Sequence, residues 1–284
     1  MPVNDKENGM ITTVVIGKSS NLSTQLRQQI ENIVLISARE VQNDISILEA
    51  YRDTRINVVF NNFQPAVELS TLENPLSYVE SAIYITAKIL EFFKENSFII
   101  NKIIYTSSSS VYGENIFCSE TDEVKPKSLH AALKVANEKL IEKYCDDQSV
   151  SYTIARIFNM FGGDDQFSII NKIILAHRNN MVLNVINNGN SIRDFIHIDN
   201  VVEIYKAILN TDKSIPLINI GTGKGNSIKG ILDFLNNNNI KIQTQNIYKK
   251  ELKTSTADTR LLNGLVEDQV IINVEEYLEK VLCI

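Results

Sequence analysis

Short apolar runs alternate with longer amphipathic segments along the first half of the chain. The runs are rich in β-branched residues, as buried parallel strands are. They occupy Ile11–Ile16, Ile33–Ile36, Ile56–Phe60, Ile103–Thr106 and Tyr152–Ile157. The segments Tyr78–Phe93 and Leu129–Tyr144 carry apolar residues at helical spacing. Because strands that alternate with helices form βαβ units, we predict an α/β fold with a parallel sheet, which binds ligands at the carboxyl ends of its strands.

Composition and charge narrow the class of protein. The 284 residues are 44% hydrophobic and 22% charged, as in a typical globular protein. A formal net charge of −6 disfavours a nucleic-acid partner, which needs a basic surface. No apolar run approaches the roughly 20 residues that cross a bilayer, and residues 1–10 are too polar for a signal peptide, so we expect a cytoplasmic protein without a membrane partner. The three cysteines lack CxxC spacing and there are only three histidines, so no metal site is expected.

The turn after the first predicted strand is typical of phosphate binding. Residues 14–26 read VVIGKSSNLSTQL, and small side chains there let backbone N–H groups approach a pyrophosphate at a helix N-terminus. Against the pattern GxxGxxG the chain keeps Gly17, whereas Ser20 and Ser23 replace the other two glycines. A tight strand–helix turn that binds no nucleotide fits this stretch about as well.

The end of the second predicted strand bears on the choice of dinucleotide. An acidic residue there would bind the ribose 2′-hydroxyl of NAD, but the sequence reads ISAR over residues 36–39. The Arg39 guanidinium would match the 2′-phosphate of NADP, which favours NADP over NAD unless Arg39 is simply a solvated loop charge. We expect Asp44, a little further on, near the adenine.

A serine and a pair of ionisable residues on a helix form a candidate centre for hydride-transfer chemistry. Residues 105–114 read YTSSSSVYGE, and His130 follows Ser108 by 22 positions. His130 and Lys134 are four residues apart, so a helix places them on one face. The serine would hydrogen-bond a substrate oxygen and the ring would exchange its proton. The lysine would lower the pKa of the ring and bind a ribose.

Several ordered motifs carry a resemblance to a known family. They are SSSSVYG (107–113), the His130–Lys134 helix with Glu138 behind it, RIFNMFG (156–162), SIRDFIHIDNV (191–201) and NIGTGKGNSI (219–228). In this order, over nearly the whole chain, they resemble the extended short-chain dehydrogenase/reductases, a family of nucleotide-sugar epimerases, dehydratases and reductases. The turn GKSSNLS (17–23) and the stretches VVFNN (58–62) and PAVE (65–68) are similar to those of dTDP-4-dehydrorhamnose reductases.

The resemblance implies a fold and partners. We expect a Rossmann domain with a doubly wound parallel sheet over residues 1–158. A smaller α/β lobe that binds a nucleotide-diphosphate sugar is expected over residues 159–284, with about 194–220 returning to the Rossmann domain. The helices at 79–93 and 129–144 resemble those that form a dimer interface in this family, so a homodimer is expected.

The resemblance also assigns roles to residues at matching positions. The expected catalytic residues are Ser108, His130 and Lys134. The expected cofactor-binding residues are Gly17, Lys18, Ser20, Asn21, Leu22, Ser37, Arg39, Asp44, Asn61 and Lys134. The expected substrate-binding residues are Ser109, Asn159, Arg193 and Asp258. The arginine that commonly precedes the last acid is not evident, and Lys249 or Lys250 would have to replace it.

Three functions stay open. A dehydratase is disfavoured, because Ser109 and Ser110 stand where dehydratases of this family carry the acids for water elimination. The first third of the chain favours an NAD(P)-dependent reductase of a nucleotide-diphosphate 4-keto-6-deoxy sugar, acting at C4 in surface-polysaccharide biosynthesis. A 4-epimerase with tightly bound NAD is one alternative, because the second half resembles epimerases equally well. A catalytically degraded module that binds a nucleotide sugar or a dinucleotide is the other.

His130 departs from the family, which has tyrosine at this position. Imidazole has an unperturbed pKa of about 6.5, and we expect the neighbouring lysine to lower it. His130 could be the working acid of an enzyme, could orient substrate while other groups move protons, or could mark a degraded site. We prefer the first hypothesis.

Overall fold

The structure, a computed structural model, describes residues 11–62, 75–266 and 270–284. The predictions on residues 1–10 and on the stretch 65–68 lie outside the described residues. The chain divides into two compact units. Unit 1 comprises Met1–Ser107, Ser128–Ile154 and Thr211–Pro216, and unit 2 comprises Ser108–Lys127, Ala155–Asn210 and Leu217–Ile284. The prediction of a cofactor-binding domain at 1–158 and a sugar-binding lobe at 159–284 concerns function, and the division into compact units does not test it.

The central sheet confirms the predicted α/β fold with a parallel sheet. The strands in the described residues are β1 (Thr12–Ile16), β2 (Ile33–Ile36), β3 (Ile56–Phe60), β4 (Ile100–Ser108), β5 (Phe117–Cys118), β6 (Ser151–Ile157), β7 (Asn159–Phe161), β8 (Leu183–Ile186), β9 (Ile192–His197), β10 (Leu217–Ile220), β11 (Gly225–Ser227), β12 (Thr244–Ile247) and β13 (Thr254–Ala257). Six of these form the sheet in the order β10-β6-β4-β3-β1-β2. β1 pairs in parallel with β2 and β3, and β3 with β4. The order reverses at β1, so the carboxyl ends of β1 and β3 border the switch point where such sheets bind ligands.

The helices separate these strands along the chain. Those in the described residues are α1 (Asn21–Gln29), α2 (Ala38–Asn43), α3 (Pro75–Val79), α4 (Ile85–Glu95), α5 (Leu129–Gln148), α6 (Ile169–Arg178), α7 (Ile198–Asn210), α8 (Ile228–Asn237), α9 (Arg260–Asn263) and α10 (Val274–Leu282). Short 3₁₀ turns span Ile45–Tyr51, Ser109–Tyr112 and Asn187–Gly189. Within residues 11–62, 75–266 and 270–284, no helix combines the length and the apolar character needed to cross a membrane.

The first long predicted helix is interrupted by a π-helical turn, Glu80–Tyr84, between α3 and α4. Two buried asparagines of unit 1 meet this turn. The side-chain amide of Asn62 donates to the carbonyl oxygen of Ser81 at 3.2 Å, and that of Asn137 donates to the carbonyl oxygen of Ala82 at 2.6 Å. The side chains thus bond to backbone groups that the wider turn exposes, which apolar spacing alone does not predict.

In unit 2 a buried carboxylate joins three backbone segments. Asp194 on β9 is fully buried. It accepts hydrogen bonds from the N–H and the hydroxyl of Thr222 at 2.8 and 2.7 Å, from the N–H of Gly223 at 2.9 Å and from the N–H of Ala257 at 3.0 Å. Asp194 therefore holds β9, the turn after β10 and β13 in register.

Candidate active site

The turn between β1 and α1 has the geometry that a dinucleotide pyrophosphate requires. Gly17 has a φ of +120°, and a Cβ on it would overlap the carbonyl oxygen of Asn61, so only glycine fits. Ser20 caps α1, its hydroxyl oxygen accepting a hydrogen bond from the N–H of Ser23 at 3.0 Å. The positive end of α1 directly follows the turn, where phosphate is stabilised. These residues fit a dinucleotide, and the individual roles of Lys18, Asn21 and Leu22 stay predictions.

A carboxylate that the sequence analysis missed lies beside this turn. Ser37 caps α2, and Glu40 accepts a hydrogen bond from the N–H of Ser37 at 2.7 Å in a reciprocal capping box. An oxygen of Glu40 also lies 3.8 Å from the ammonium of Lys18. The hydrogen bonds from Ser37 lower the pKa of Glu40, which keeps it negatively charged. The spacing SxxE from Ser37 is the signal that could have predicted this acid.

The two other residues predicted near the adenosine half have surface positions. Arg39, which suggested NADP, is exposed on α2. Asp44 caps the following 3₁₀ turn, accepting hydrogen bonds from the N–H of Ser46 at 3.0 Å and from its hydroxyl at 2.7 Å. These two bonds lower the pKa of Asp44. The contacts of Arg39 and Asp44 with a cofactor stay predictions.

Lys134 is buried in unit 1 on α5. Its ammonium donates to the carbonyl oxygen of Thr106 at 2.7 Å and lies 5.1 Å from the ring centre of Tyr105. Burial lowers the pKa of Lys134 to about 7, although the charge of Glu138 opposes the shift. Glu138 in turn accepts a hydrogen bond of 2.5 Å from the hydroxyl of Ser107. The lysine therefore titrates close to neutrality.

His130 lies one helical turn before Lys134, in the first turn of α5, and is half-buried. Burial, and to a lesser extent the charge of Lys134, lower the pKa of His130 to about 4. The sequence predicted that the pKa of His130 is lowered by the neighbouring lysine. Burial, which is the larger cause of the shift, could not be predicted from the sequence. The imidazole is consequently neutral at physiological pH and holds no imidazolium proton to donate, while the same lowered pKa makes it a weaker base than a solvated histidine.

Ser108 and Ser109 belong to unit 2. Ser108 ends β4 and caps the 3₁₀ turn Ser109–Tyr112, accepting hydrogen bonds from the N–H of Ser110 at 3.2 Å and from its hydroxyl at 3.0 Å. Its own hydroxyl proton is not used in those two bonds. A hydroxyl held in this way has a hydrogen to offer to a ligand oxygen. The roles of Ser108 and Ser109 stay predictions.

A cavity of about 630 Å³ lies within unit 2, a volume typical of small-molecule sites. Two predicted substrate residues, Asn159 and Arg193, line it together with Lys172 and Glu251. The guanidinium of Arg193 lies 3.2 Å from the carboxylate of Glu251. Burial lowers the pKa of Arg193, and the charge of Glu251 opposes this. The apolar wall of the cavity includes Phe167, Leu175, Met181, Val182 and Ile186.

Glu251, and not the predicted acid Asp258, is the carboxylate that lines this cavity. Asp258 is buried, and its carboxylate accepts hydrogen bonds from the side chain of Arg260, including one of 3.0 Å from Nε. These bonds lower the pKa of Asp258. Its substrate role stays a prediction. Glu251 and Lys172 carry no motif of their own, so only the fold reveals them.

A glycine-dependent turn at the switch point of a doubly wound sheet defines a nucleotide-binding α/β protein. Residues 6–221 match the family described as the NAD dependent epimerase/dehydratase family. The chain belongs to this family, which confirms the family predicted from the ordered motifs and supports the prediction of an enzyme.

Relatives and solved structures add detail. The chain is 31% identical over 180 residues to protein CapI of Staphylococcus aureus, across 62% of this chain and 53% of that protein. It thus spans about half the length of the first curated relatives it matches. It is 28% identical over 243 residues to a UDP-glucuronate 4-epimerase of Thermodesulfobacterium geofontis, across 83% of this chain and 73% of that protein. The fold resembles that of UDP-glucuronic acid 4-epimerase from Bacillus cereus, in complex with UDP-glucuronic acid and NAD, with a TM-score of 0.81, 22% identity, and 95% and 97% of the two chains covered.

Proposed function

We propose that this protein is an NAD-dependent 4-epimerase of a UDP-linked sugar acid, with UDP-glucuronate as the first candidate substrate. The observation that carries the proposal is the cavity of unit 2, where Arg193 and Lys172 offer positive charge to a diphosphate. An apolar wall accompanies these cations, as a nucleotide base requires. In unit 1 the glycine turn and the N-terminus of α1 fit a dinucleotide.

The relatives favour the epimerase alternative over the reductase that the sequence analysis preferred. A UDP-glucuronate 4-epimerase aligns with most of this chain, and a 4-epimerase with bound NAD shares its fold. The neutral state of His130 adds a chemical argument. An epimerase must first remove the proton of the sugar 4-hydroxyl, and a neutral imidazole is an acceptor for it. A reductase needs a proton donor at the same step.

The proposed chemistry assigns a task to residues of unit 1 and to residues of unit 2. Nicotinamide, when bound, supplies reversible acceptance of a hydride from the sugar. His130 accepts and returns the hydroxyl proton, and the cation of Lys134 discourages protonation of the imidazole in the resting enzyme. Ser108 donates a hydrogen bond to the sugar oxygen. In unit 2, Arg193 binds the diphosphate by charge-assisted hydrogen bonds.

The test of this function is run with added NAD, so that it does not depend on how much cofactor the purified protein carries. The purified protein is incubated with UDP-glucuronate, and the anomeric protons of the sugar are followed by NMR. We expect a second UDP-linked uronate, the C4 epimer, without net change in absorbance at the NADH band. Arg193→Met should weaken substrate binding, while Lys229→Met on α8 serves as a matched control outside the cavity.

The competing functions predict other results. Stoichiometric oxidation of NADPH with a 4-keto-6-deoxy nucleotide sugar would establish the reductase instead. Saturable binding of UDP-glucuronate without conversion, unchanged by His130→Ala, would establish the degraded binding module. Either result rejects the epimerase.

We also propose NAD, in place of NADP, as the cofactor. Glu40 places a negative charge about 20 residues beyond the glycine turn, where such an acid selects the ribose 2′-hydroxyl. Glu40→Gln is expected to improve NADP binding relative to NAD by roughly 3- to 10-fold, because the glutamate repels the 2′-phosphate of NADP and the neutral amide does not. Glu31→Gln, an exposed glutamate before β2, is the matched control. Fluorescence titration with both reduced cofactors measures the ratio, and a wild-type preference for NADPH would contradict the proposal.

A homodimer, cytoplasmic location and a place in surface-polysaccharide biosynthesis complete the proposal. The helical segment 75–95 and the start of α5 expose Val79, Tyr84 and Leu129. Such apolar side chains suit a helical interface with a second copy. The place in surface-polysaccharide biosynthesis follows from the resemblance to nucleotide-sugar enzymes.

A further inference from the structure

The turn after β1 has serines at two of the three glycine positions of the pattern GxxGxxG, and a hydrogen-bond cluster joins those serines to the end of β3. The cluster joins Ser20, Ser23 and the backbone of Gly17 to Asn61, which directly follows β3. All four residues belong to unit 1. Ser23 and Asn61 are buried.

The hydrogens of this cluster can be assigned individually. The side-chain amide of Asn61 donates to the hydroxyl oxygens of Ser20 at 2.5 Å and of Ser23 at 2.8 Å. The hydroxyl of Ser20 donates to that of Ser23 at 2.9 Å, and the hydroxyl of Ser23 donates to the carbonyl oxygen of Gly17 at 2.7 Å. Both amide hydrogens and both hydroxyl hydrogens are therefore used once each. In this orientation of the amide, the buried side-chain oxygen of Asn61 has no hydrogen-bond partner within the described residues.

The backbone of Asn61 is tied to the same turn. Its N–H donates to the carbonyl oxygen of Ile16 at 2.8 Å, and its own carbonyl oxygen occupies the space that a Cβ on Gly17 would need. Asn61 thus contacts the turn at the retained glycine and at both replaced glycines. Loss of the Asn61 amide would remove one hydrogen bond from each serine hydroxyl and leave their bonds to each other and to the backbone.

We propose that Asn61 is a positioning residue for the cofactor turn. It holds the hydroxyls of Ser20 and Ser23 so that the turn keeps a shape competent to bind a pyrophosphate without the usual glycines. The inference rests on the proposed function in one respect, that this turn binds the dinucleotide. A positioning role differs from direct contact with the cofactor. If Asn61 contacted the cofactor directly, replacing Asn61 would have the same effect whether or not the two serines were present.

A double-mutant cycle tests this distinction. The proteins are wild type, Asn61→Ala, the pair Ser20→Gly with Ser23→Gly, and the combination of all three changes. Each is titrated with NADH by fluorescence, and each unliganded protein is unfolded thermally. We expect Asn61→Ala to weaken NADH binding by roughly 5- to 100-fold in the wild-type background, the range set by the loss of its two hydrogen bonds to the serines. In the glycine background, where no hydroxyl needs holding, the same change should weaken binding less than about 3-fold.

A second buried asparagine, within the strand β3 that Asn61 follows, provides the matched control. Asn57 lies in β3 at the end remote from the turn, where its side-chain oxygen accepts a hydrogen bond from Asn101 at 2.8 Å. Asn57→Ala should lower the melting temperature without changing NADH affinity. This separates positioning of the turn from general loss of stability.

Other outcomes overturn the inference. An equal loss of affinity in both backgrounds would mean that Asn61 contacts the cofactor directly, and no loss in either would mean that it has no part in binding. A wild-type protein that binds neither NADH nor NADPH would reject the proposed function and the cofactor role together. In that case the thermal unfolding cycle of the unliganded proteins still decides whether Asn61 holds the serines, since absence of coupling there rejects the cluster itself.

Discussion

Replacing His130 with alanine is expected to lower the rate of C4 epimerisation by roughly 10²- to 10⁴-fold, the usual contribution of a positioned acid or base. The imidazole is half-buried, neutral and one helical turn from a buried lysine. A methyl group cannot accept the hydroxyl proton, so the loss should fall on kcat more than on KM. Steady-state kinetics with UDP-glucuronate measure both. His177→Ala, on α6 and outside the cavity lining, is the control and should retain full activity.

The pH dependence of the activity tests the role of His130 independently of its replacement. His130 acts as a base only while neutral, so activity should persist down to about pH 5 and be lost as the pH falls through about 4. We assign the Lys134 cation to binding the cofactor ribose, and this charge is lost as the pH rises through about 7. The plot of log kcat/KM against pH should therefore be flat between these limits and fall outside them. An acid limb centred near 6.5 would show that the histidine is solvated, contrary to the structure.

Replacing His130 with the tyrosine that the family has at this position tests whether residue 130 transfers the proton. A phenol must lose its proton before it can accept one, whereas the imidazole is already deprotonated. His130→Tyr should therefore convert the flat region into a rate that increases with pH. An unchanged profile would exclude residue 130 from proton transfer.

Replacing Asp194 with alanine is expected to reduce the free energy of unfolding by about 3–5 kcal/mol, because several buried donors lose their acceptor and each such loss costs about 1–3 kcal/mol. Those donors are the N–H and hydroxyl of Thr222 and the N–H groups of Gly223 and Ala257. Asp194→Asn should also destabilise, since its NH₂ would face N–H donors. Urea unfolding at constant pH measures the difference.

An exposed aspartate of the same unit gives the comparison for that result. Asp233 on α8 pairs with Lys229 at 2.7 Å at the surface. Asp233→Ala should change the free energy of unfolding by no more than about 0.5 kcal/mol. If Asp194→Ala were equally mild, the carboxylate would not be holding the three segments of unit 2 together.

Much of the fold follows from local sequence, because buried parallel strands and amphipathic helices have distinct periodicities. The strands β1, β2 and β3 and the helix α5 begin within a residue or so of their predicted positions. The π turn at Glu80–Tyr84 could not be predicted, since it depends on Asn62 and Asn137, which are far from it in sequence. Local sequence patterns likewise cannot predict any other contact between side chains that are far apart in the sequence.

Some residues of the candidate site could be predicted from the sequence and others could not. Motifs identify Gly17, Lys134 and Arg193, because their positions are set by turns and strand ends that the sequence itself reveals. Glu251 belongs to no motif, and its place in the cavity depends on the packing of β8, β9 and α6. The degree of burial that lowers the pKa of His130 likewise cannot be derived from its spacing to Lys134.

The π turn also fixes a rotational relationship within the helical segment 75–95. Each residue of an α-helix advances by about 100° around the axis. Deleting one residue from Glu80–Tyr84 to make a continuous α-helix would therefore turn α3 by about that angle relative to α4. It would also withdraw the carbonyl groups of Ser81 and Ala82 from the two asparagines. Insertions and deletions in this segment are thus constrained by which side of the helix faces outward, as well as by its length.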